Sequence, residues 1–533
     1  MPELPNPPTS QTPADSDRVD CVLIYPPWTV LQGRSFLTNC LPPLGILSIA
    51  GYLLREGFTV KVIDVHAERI GPTELEELLR RYRPRCVGIT VLSSMLVSSH
   101  SIAKLARRLL PDCVIVAGGV HAEAFPEQML RNSAIDLVVR GDGERPMTEI
   151  VSGKPWDEIE SVSFLRPDGS VQHNPLQEIE MDLDQYPMPA YHLIDFKRYF
   201  PSATSYRNLP AINIIMTRGC PGKCTFCNSA MTVLRSRSPQ NVFAQINLLR
   251  SQYGIKQVQF FDDTFTVNKA GVLELCRLLR ENQVDVSFSC YVRGDCFSDE
   301  MARALKSAGC HQVMVGIETG SEPIMEIIQK PIDKRRYTEM VRIAHAHDIE
   351  VRAGFIIGNL GETWETMEES LNFAIELDVD FFQMSISTPY PGTALYKQAL
   401  AEGRLKHLEF KRYGQGEVIV RLDALTEEQV LAFERHAWRR FYLRPRIFWR
   451  QLRRISNFRQ LKDLYHAFAL LIMNRIVNQD PNWDGWDRET EASQYDRQVS
   501  SPDAVRLTYE LRREVHPAQS QSPALRQSVQ APS

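Results

Sequence analysis

The chain has little that would send it to a membrane, a nucleic acid or an oxidising compartment. No uninterrupted apolar run reaches the roughly 18 residues of a membrane span; the longest, His466 to Val477, is too short. Lys and Arg number 61 against 65 Asp and Glu, and a net charge of -4 gives no basic excess to hold a phosphate backbone. Eleven cysteines are an odd number and too sparse in 533 residues for a disulfide scaffold. A reducing, cytoplasmic setting is therefore expected. The proline-rich start, MPELPNPPTSQTPADSD, lacks the basic start and apolar core of a signal peptide. Residues 1–17 and the Ser/Pro/Gln-rich tail 479–533 are too poor in apolar residues to bury a core and are expected to be disordered.

What is present is strand and helix in alternation. Short apolar runs VDCVLIY (19–25), VKVIDV (60–65), CVGITV (86–91), VIVAGG (114–119) and LVVRGDGE (137–144) read as five strands with their loops. Helical stretches at 44–55 and 102–110, and one ending at 129–132, lie between them. Such runs, apolar on both faces, predict a doubly wound, Rossmann-like parallel sheet over 18–152, with a ligand beyond the carboxyl ends of its strands. The loops there are Tyr25-Pro26-Pro27-Trp28, Ser93-Ser94-Met95, Ala117 to His121 and Gly141 to Glu144. Any one reads as a tight turn; four in register suit a large flat ligand approaching the backbone. Residues 153–205 read as a hairpin-like linker. A second βα series over 206–424 has strands at 212–217, 258–265, 286–295, 312–320, 351–358 and 381–387, which predicts a (β/α)6-type partial TIM barrel. Residues 425–478 read as a helical C-terminal region. Within it, 438–455 interleaves arginines with Trp, Phe and Tyr.

The stretch TRGCPGKCTFCNSA (217–230) follows the first barrel strand, where barrel chemistry sits. Its Cys220, Cys224 and Cys227 admit several readings. A structural zinc would need a fourth ligand from Cys276, Cys290 or a distant histidine. A Cys224–Cys227 redox pair would leave Cys220 unexplained, and a buried trio without a role fits poorly in a Gly-Pro-Gly turn. Three thiolates on an iron–sulfur cluster would leave one iron open.

On these residues the chain resembles the radical S-adenosylmethionine (SAM) superfamily, whose signature is CxxxCxφC with Phe226 as the aromatic. FFDDTF (260–265), Arg293 in YVRGD, Glu318 in GIETGS, Gly358 in FIIGNLGET and PYPGTALY (389–396) extend the resemblance. Asn359-Leu360 departs from the family's Leu-Pro, which changes a turn and no ligand. The resemblance implies a [4Fe-4S] cluster on Cys220, Cys224 and Cys227, with SAM on the open iron and cleaved to a 5′-deoxyadenosyl radical. It implies SAM contacts from Phe226, Asp263, Arg293, Glu318 and Gly358. Arg293 would fork onto the SAM carboxylate, or instead pair with Asp295. Of the neighbours Asp262 and Asp263 only one can face the site.

The first domain resembles the cobalamin-binding domain of cobalamin-dependent radical SAM enzymes, through Pro42-Pro43-Leu44-Gly45, Gly118-Gly119-Val120-His121 and Gly141-Asp142-Gly143-Glu144. That implies cobalamin contacts from Pro43, Gly45, Ser93, Gly118, Gly119, His121, Gly141 and Glu144. The first-strand loop has no DxHxxG histidine. Asp64-Val65-His66-Ala67-Glu68-Arg69 imitates only its beginning, so His66 reads as a loop residue and no histidine is expected on cobalt. The family most often removes hydrogen from an unactivated carbon and delivers a methyl group from methylcobalamin. A C-methyltransferase acting on a small biosynthetic substrate is thus expected, with an electron donor such as flavodoxin or ferredoxin and no nucleic acid. Two alternatives stay open. FYLRPRIFWRQLRR resembles the C-terminal segment of anaerobic magnesium-protoporphyrin monomethyl ester cyclases, and the chain could be such an oxidative cyclase. It could also be a cobalamin or redox sensor with no turnover. The same arginine-aromatic segment is either a helical cap with a solvated basic face or a contact to an anionic substrate or membrane surface.

Overall fold

A mixed sheet and then a wholly parallel one follow one another along the chain. The structure is a computed structural model that describes residues 17–27, 40–131, 134–202, 204–330, 333–414, 416–455 and 461. Expectations about residues 1–16, Trp28, the apolar run 466–477 and the tail from 479 lie outside the described residues.

The first sheet contains β1 (Cys21–Tyr25), β2 (Val60–Asp64), β3 (Cys86–Thr90), β4 (Val114–Gly118) and β5 (Leu137–Val139), continued by β6 (Val162–Leu165) and β7 (Val171–His173). Its order is β2-β1-β3-β4-β5-β6-β7. The first five strands are parallel, and β6 and β7 run antiparallel. Helices cover both faces, so nearly every residue of β1 and β3 is buried, which is why these strands read as unbroken apolar runs. The first helix spans Leu44–Arg55 and stops before Gly57 at φ 88°. The antiparallel pair comes from the segment that reads as a linker: its hairpin extends the edge of the first sheet.

The second sheet is wholly parallel. After β8 (Ala211–Ile214), the short β9 (Thr217–Arg218) and β10 (Arg235–Ser236) form a hairpin of their own. The barrel continues with β11 (Gln257–Phe260), β12 (Ser287–Val292), β13 (Cys310–Glu318), β14 (Glu350–Ile357) and β15 (Phe381–Ile386). The order β15-β14-β13-β12-β11-β8 leaves the barrel open between β15 and β8, a (β/α)6 partial barrel. The first domain touches β8, where Asn213 Nδ2 donates to the Pro42 carbonyl (3.2 Å), and the linker, where Cys40 bridges to Phe200.

Two helices, Glu427–Tyr442 and Pro445–Arg454, pack Val430, Phe433, Ala437, Phe441 and Ile447 against the barrel. Their arginines are mostly spent within the chain. Arg440 pairs with Glu368 (2.5 Å), Arg450 with Asp378 and Asp380 (2.8 and 3.1 Å), and Arg454 with Glu350 (2.7 Å). The packed-cap reading of this segment accounts for them. No described helix is long and apolar enough to cross a membrane.

Candidate functional site

The cysteine loop begins where β8 ends, and a buried carboxylate shapes that exit. Asp262 accepts hydrogen bonds from the Met216 and Thr217 amides and the Thr217 hydroxyl, at 3.1, 2.5 and 2.7 Å. Burial outweighs these donors and pushes its carboxyl up to about 7. The next turn requires glycine. Gly219 has φ 94°, and a Cβ there would lie 2.2 Å from the Val233 carbonyl oxygen. The loop then folds on itself, the Thr232 amide donating to the Cys220 carbonyl (3.0 Å) and the Met231 amide to the Gly222 carbonyl (2.7 Å). Thr225 stitches it to the barrel, donating to the Ile328 carbonyl and accepting from the Leu395 amide.

Cys220, Cys224 and Cys227 are free thiols, each half-buried. Burial raises the Cys224 and Cys227 thiols. Among the described residues no three His, Cys, Asp or Glu side chains close around a metal ion. The donor set nonetheless suits a cluster face: three thiols on one tied loop, open to the barrel mouth. Phe226 packs beside Leu360, Leu395, Ala399 and Val420.

The strand ends bring Asp263, Arg293 and Glu318 to this loop. Asp263, not Asp262, faces it: Asp263 is exposed and accepts from the Ser229 hydroxyl (2.9 Å). Arg293 donates to both Asp295 oxygens (3.0 and 2.8 Å), the ion pair weighed above as its alternative role. Its guanidinium also lies 3.4 Å from where a Gly222 Cβ would stand, and Cys220 Sγ lies 3.2 Å from that point. Glu318 sits at φ 71° beside a register shift between β13 and β14 and pairs with Lys330 at 2.7 Å. A left-handed glutamate at a strand end is stored backbone strain, a common mark of a binding position. Gly316 makes room for it, since a Cβ there would meet Glu318 Oε1 at 2.1 Å and Lys330 Nζ at 3.0 Å. Gly358 turns the chain at φ 76°, and the following turn closes on Glu362, which accepts from the Asn359 amide (2.8 Å) and is pushed up to about 7 by burial. Lys330 carried no local signal in the sequence.

Across the interface, a cavity of about 390 Å³ opens at the carboxyl ends of the first sheet. Gly45, Gly118, Gly119, Gly141 and Glu144 line it, with Ile215, Arg218, Arg237 and Gln245 from the barrel side. A Cβ at Gly45, Gly118 or Gly141 would meet nothing within 4 Å, so the backbone there is open to a flat ligand. Ser93, His121 and Pro43 do not line this cavity. Pro43 precedes the helix Leu44–Arg55 and accepts the Leu47 amide. His121 is fully buried between the rings of Phe125 and Phe410, its Nδ1 3.0 Å from the Ser93 hydroxyl. Burial lowers its imidazole to about 3. His66 lies in a one-turn helix, Val65–Glu68, after β2.

One contact set joins cavity and loop. Arg218, two residues before Cys220, donates to Glu144 Oε1 (2.6 Å), the Ser48 hydroxyl (3.2 Å) and Asp142 (3.2 Å). Arg235 on β10 takes the other Asp142 oxygen (2.5 Å). Burial pushes the Asp142 carboxyl up, but the two guanidinium groups outweigh it and leave it below the usual range. The quoted stretch contained Arg218, but nothing local marked its partner.

Comparison with known proteins decides the family. The Radical SAM superfamily model matches residues 214–374 and the B12 binding domain model residues 36–151. An uncharacterized methyltransferase of Pyrococcus horikoshii is 32% identical over 464 residues, covering 85% of this chain and 96% of that one. The chain belongs to the cobalamin-dependent radical SAM enzymes. An anaerobic magnesium-protoporphyrin IX monomethyl ester cyclase of Rubrivivax gelatinosus is 25% identical, with coverage of 77% of this chain and 76% of that one. The structure of the radical SAM methyltransferase TsrM from Kitasatospora setae, with cobalamin and [4Fe-4S] cluster bound, superposes with a TM-score of 0.60 at 18% identity over 90% of this chain and all of that one. This cobalamin-dependent radical SAM enzyme accordingly takes a [4Fe-4S] cluster, SAM and cobalamin as cofactors.

Proposed function

We propose that this enzyme transfers a methyl group to an unactivated carbon of a small biosynthetic substrate. When bound, cluster and SAM supply a 5′-deoxyadenosyl radical that abstracts hydrogen, and cobalamin supplies the methyl group. Cys220, Cys224 and Cys227 hold the cluster. Phe226 and Gly358 shape the SAM cleft, and Asp263, Arg293 and Glu318 present charge to its polar groups. Lys330 and Asp295 hold two of those charges in place, so little reorganisation is needed when SAM arrives. Gly45, Gly118, Gly119, Gly141 and Glu144 form the cobalamin cavity wall, while Pro43, Ser93 and His121 brace the elements behind it. A flavodoxin- or ferredoxin-type partner delivers the electron.

The observation that carries the reading is the placement of the glycine-lined cavity beside the cysteine loop, with Arg218 bonded to the cavity wall two residues before Cys220. The named methyltransferase relative at 32% identity supports methyl transfer. The cyclase relative keeps the oxidative reading as the second one. Anaerobic turnover of the reconstituted enzyme with methyl-labelled SAM, on extract of its source cells, separates them. Label retained in a product supports methylation. Formation of 5′-deoxyadenosine with only unlabelled product supports the cyclase, and no SAM cleavage at all would refute both.

A further inference from the structure

Helix Pro445–Arg454 reverses the usual arrangement of a surface helix. Toward the barrel it turns Arg450, paired with Asp378 and Asp380, and Arg454, paired with Glu350, and it buries Ile447. To the outside it turns Trp449 and Leu452, 61% and 38% exposed. Trp449 is the most exposed large apolar side chain among the described residues. Leu443, in the turn before the helix, is 46% exposed. A cap that met only water would bury such side chains and expose its charges. Trp449 and Leu452 are three residues apart, so they are neighbours on the helix surface and form one stripe.

Cations edge this stripe. Arg446 lies one turn before Trp449 and Arg453 one turn after it, and both are exposed. Arg446 shares Asp378 with Arg450, and no Asp or Glu pairs with Arg453 among the described residues. From Arg435 to Lys462 the chain holds nine arginines and not one Asp or Glu. A tryptophan and leucines set between arginines match an anionic lipid surface. The apolar side chains enter the boundary of headgroups and acyl chains, and the guanidinium groups meet lipid phosphates. A second copy of this chain fits less well, because a two-fold contact would set the same arginines against each other. The helix lies at the amino ends of β14 and β15, where Glu350 and Asp380 sit, whereas the cysteine loop follows the carboxyl end of β8. Contact there holds the enzyme to a surface without covering the barrel mouth.

We infer that this helix docks the enzyme peripherally onto an anionic lipid bilayer, through Leu443, Arg446, Trp449, Leu452 and Arg453. The contact is independent of the chemistry at the mouth. The test is cosedimentation of the full chain with vesicles of phosphatidylcholine alone, or of phosphatidylcholine and phosphatidylglycerol in equal parts. Wild type should bind the mixed vesicles at least about tenfold more tightly than phosphatidylcholine alone, and added salt should weaken that binding. Trp449→Ser/Leu452→Ser should lose at least about tenfold in affinity for the mixed vesicles. Arg446→Gln/Arg453→Gln should lose about tenfold together with most of the salt dependence. These four side chains are exposed, so both variants should keep the circular dichroism and melting temperature of wild type. Failure of wild type to bind the mixed vesicles would overturn the inference. So would binding that both variants retain in full, which would assign the lipid contact to another part of the chain, such as 462–477. A wild-type dimer that both variants lose would overturn it too, by making this face an interface between copies.

Discussion

Replacing Arg218 with Met should make opening of the seam between the two domains roughly a hundredfold easier. Glu144 is almost wholly shielded, its side chain 3% exposed, and that of Arg218 is 19% exposed, so water screens the pair little. Without Arg218 the Glu144 carboxylate keeps only the Ser48 hydroxyl (2.7 Å), while Asp142 keeps Arg235. Stranding one buried partner of an ion pair costs about 3–5 kcal/mol. Any local opening that lets water reach Glu144 relieves that cost, so opening should become easier by about 3 kcal/mol, roughly a hundredfold. Hydrogen exchange of the amides at 137–144 and 217–236 reads this directly as lost protection. The double variant Arg218→Met/Glu144→Gln removes the stranded charge and should regain most of the protection, giving a large coupling energy. Protection that falls less than threefold in Arg218→Met, or a double variant in which the two losses simply add, would show that the seam is held by packing and not by this pair.

Cys224→Ala should abolish the cluster absorbance and reduce SAM cleavage to background, while far-ultraviolet circular dichroism stays as in wild type because the thiol is only half-buried. Gly316→Ala drives a methyl group into Glu318 Oε1 and Lys330 Nζ, and it should weaken SAM at least tenfold in equilibrium dialysis with cobalamin affinity unchanged. Overpacking of this kind also costs about 1–3 kcal/mol of stability. Burial holds His121 and His311 at about 3, against about 6.5 in the unfolded chain. The unfolded state therefore takes up protons first, and each histidine removes stability as pH falls from 6.5 toward 3, at about 1.4 kcal/mol per unit. Asp262 and Glu362, raised to about 7, act in the opposite sense between pH 4 and 7. The informative quantity is thus the urea midpoint of His121→Leu relative to wild type: the variant should gain on wild type from pH 7 to pH 5. A constant difference would mean that His121 is not buried neutral.

Legibility in the sequence followed the range of the interaction. The helix Leu44–Arg55 could be read to the residue, because Pro42-Pro43 starts it and Gly57 ends it within a single window. The six barrel strands were legible for the same reason, each an apolar run closed by turn residues. The β6–β7 hairpin was less so: strands of four and three residues carry too few alternations to reveal which sheet they join. His121 was expected to line a ligand pocket from its place in a glycine-rich loop. Its burial depends on Phe410, 289 positions later, which no local pattern announces. The choice between Asp262 and Asp263 was likewise closed only by Thr217 and Ser229 on the facing loop.

The β9 strand shows how a local rule and a distant partner combine. Successive side chains of an extended chain point to opposite sides. Thr217 therefore turns inward to Asp262 of the barrel, and Arg218 turns outward to Glu144 of the first domain. Gly219 then reverses the chain at a φ that other residues resist, and Cys220 follows at once. Four consecutive residues thus tie barrel, first domain and cysteine loop to a single short run of backbone. A displacement of the cavity wall at Glu144 reaches Cys220 through the Arg218 side chain, held at both ends, and two intervening peptide units. The spacing between the glycine-lined cavity and the cysteine loop is set by that alternation, and it would be lost by inserting a single residue between 218 and 220.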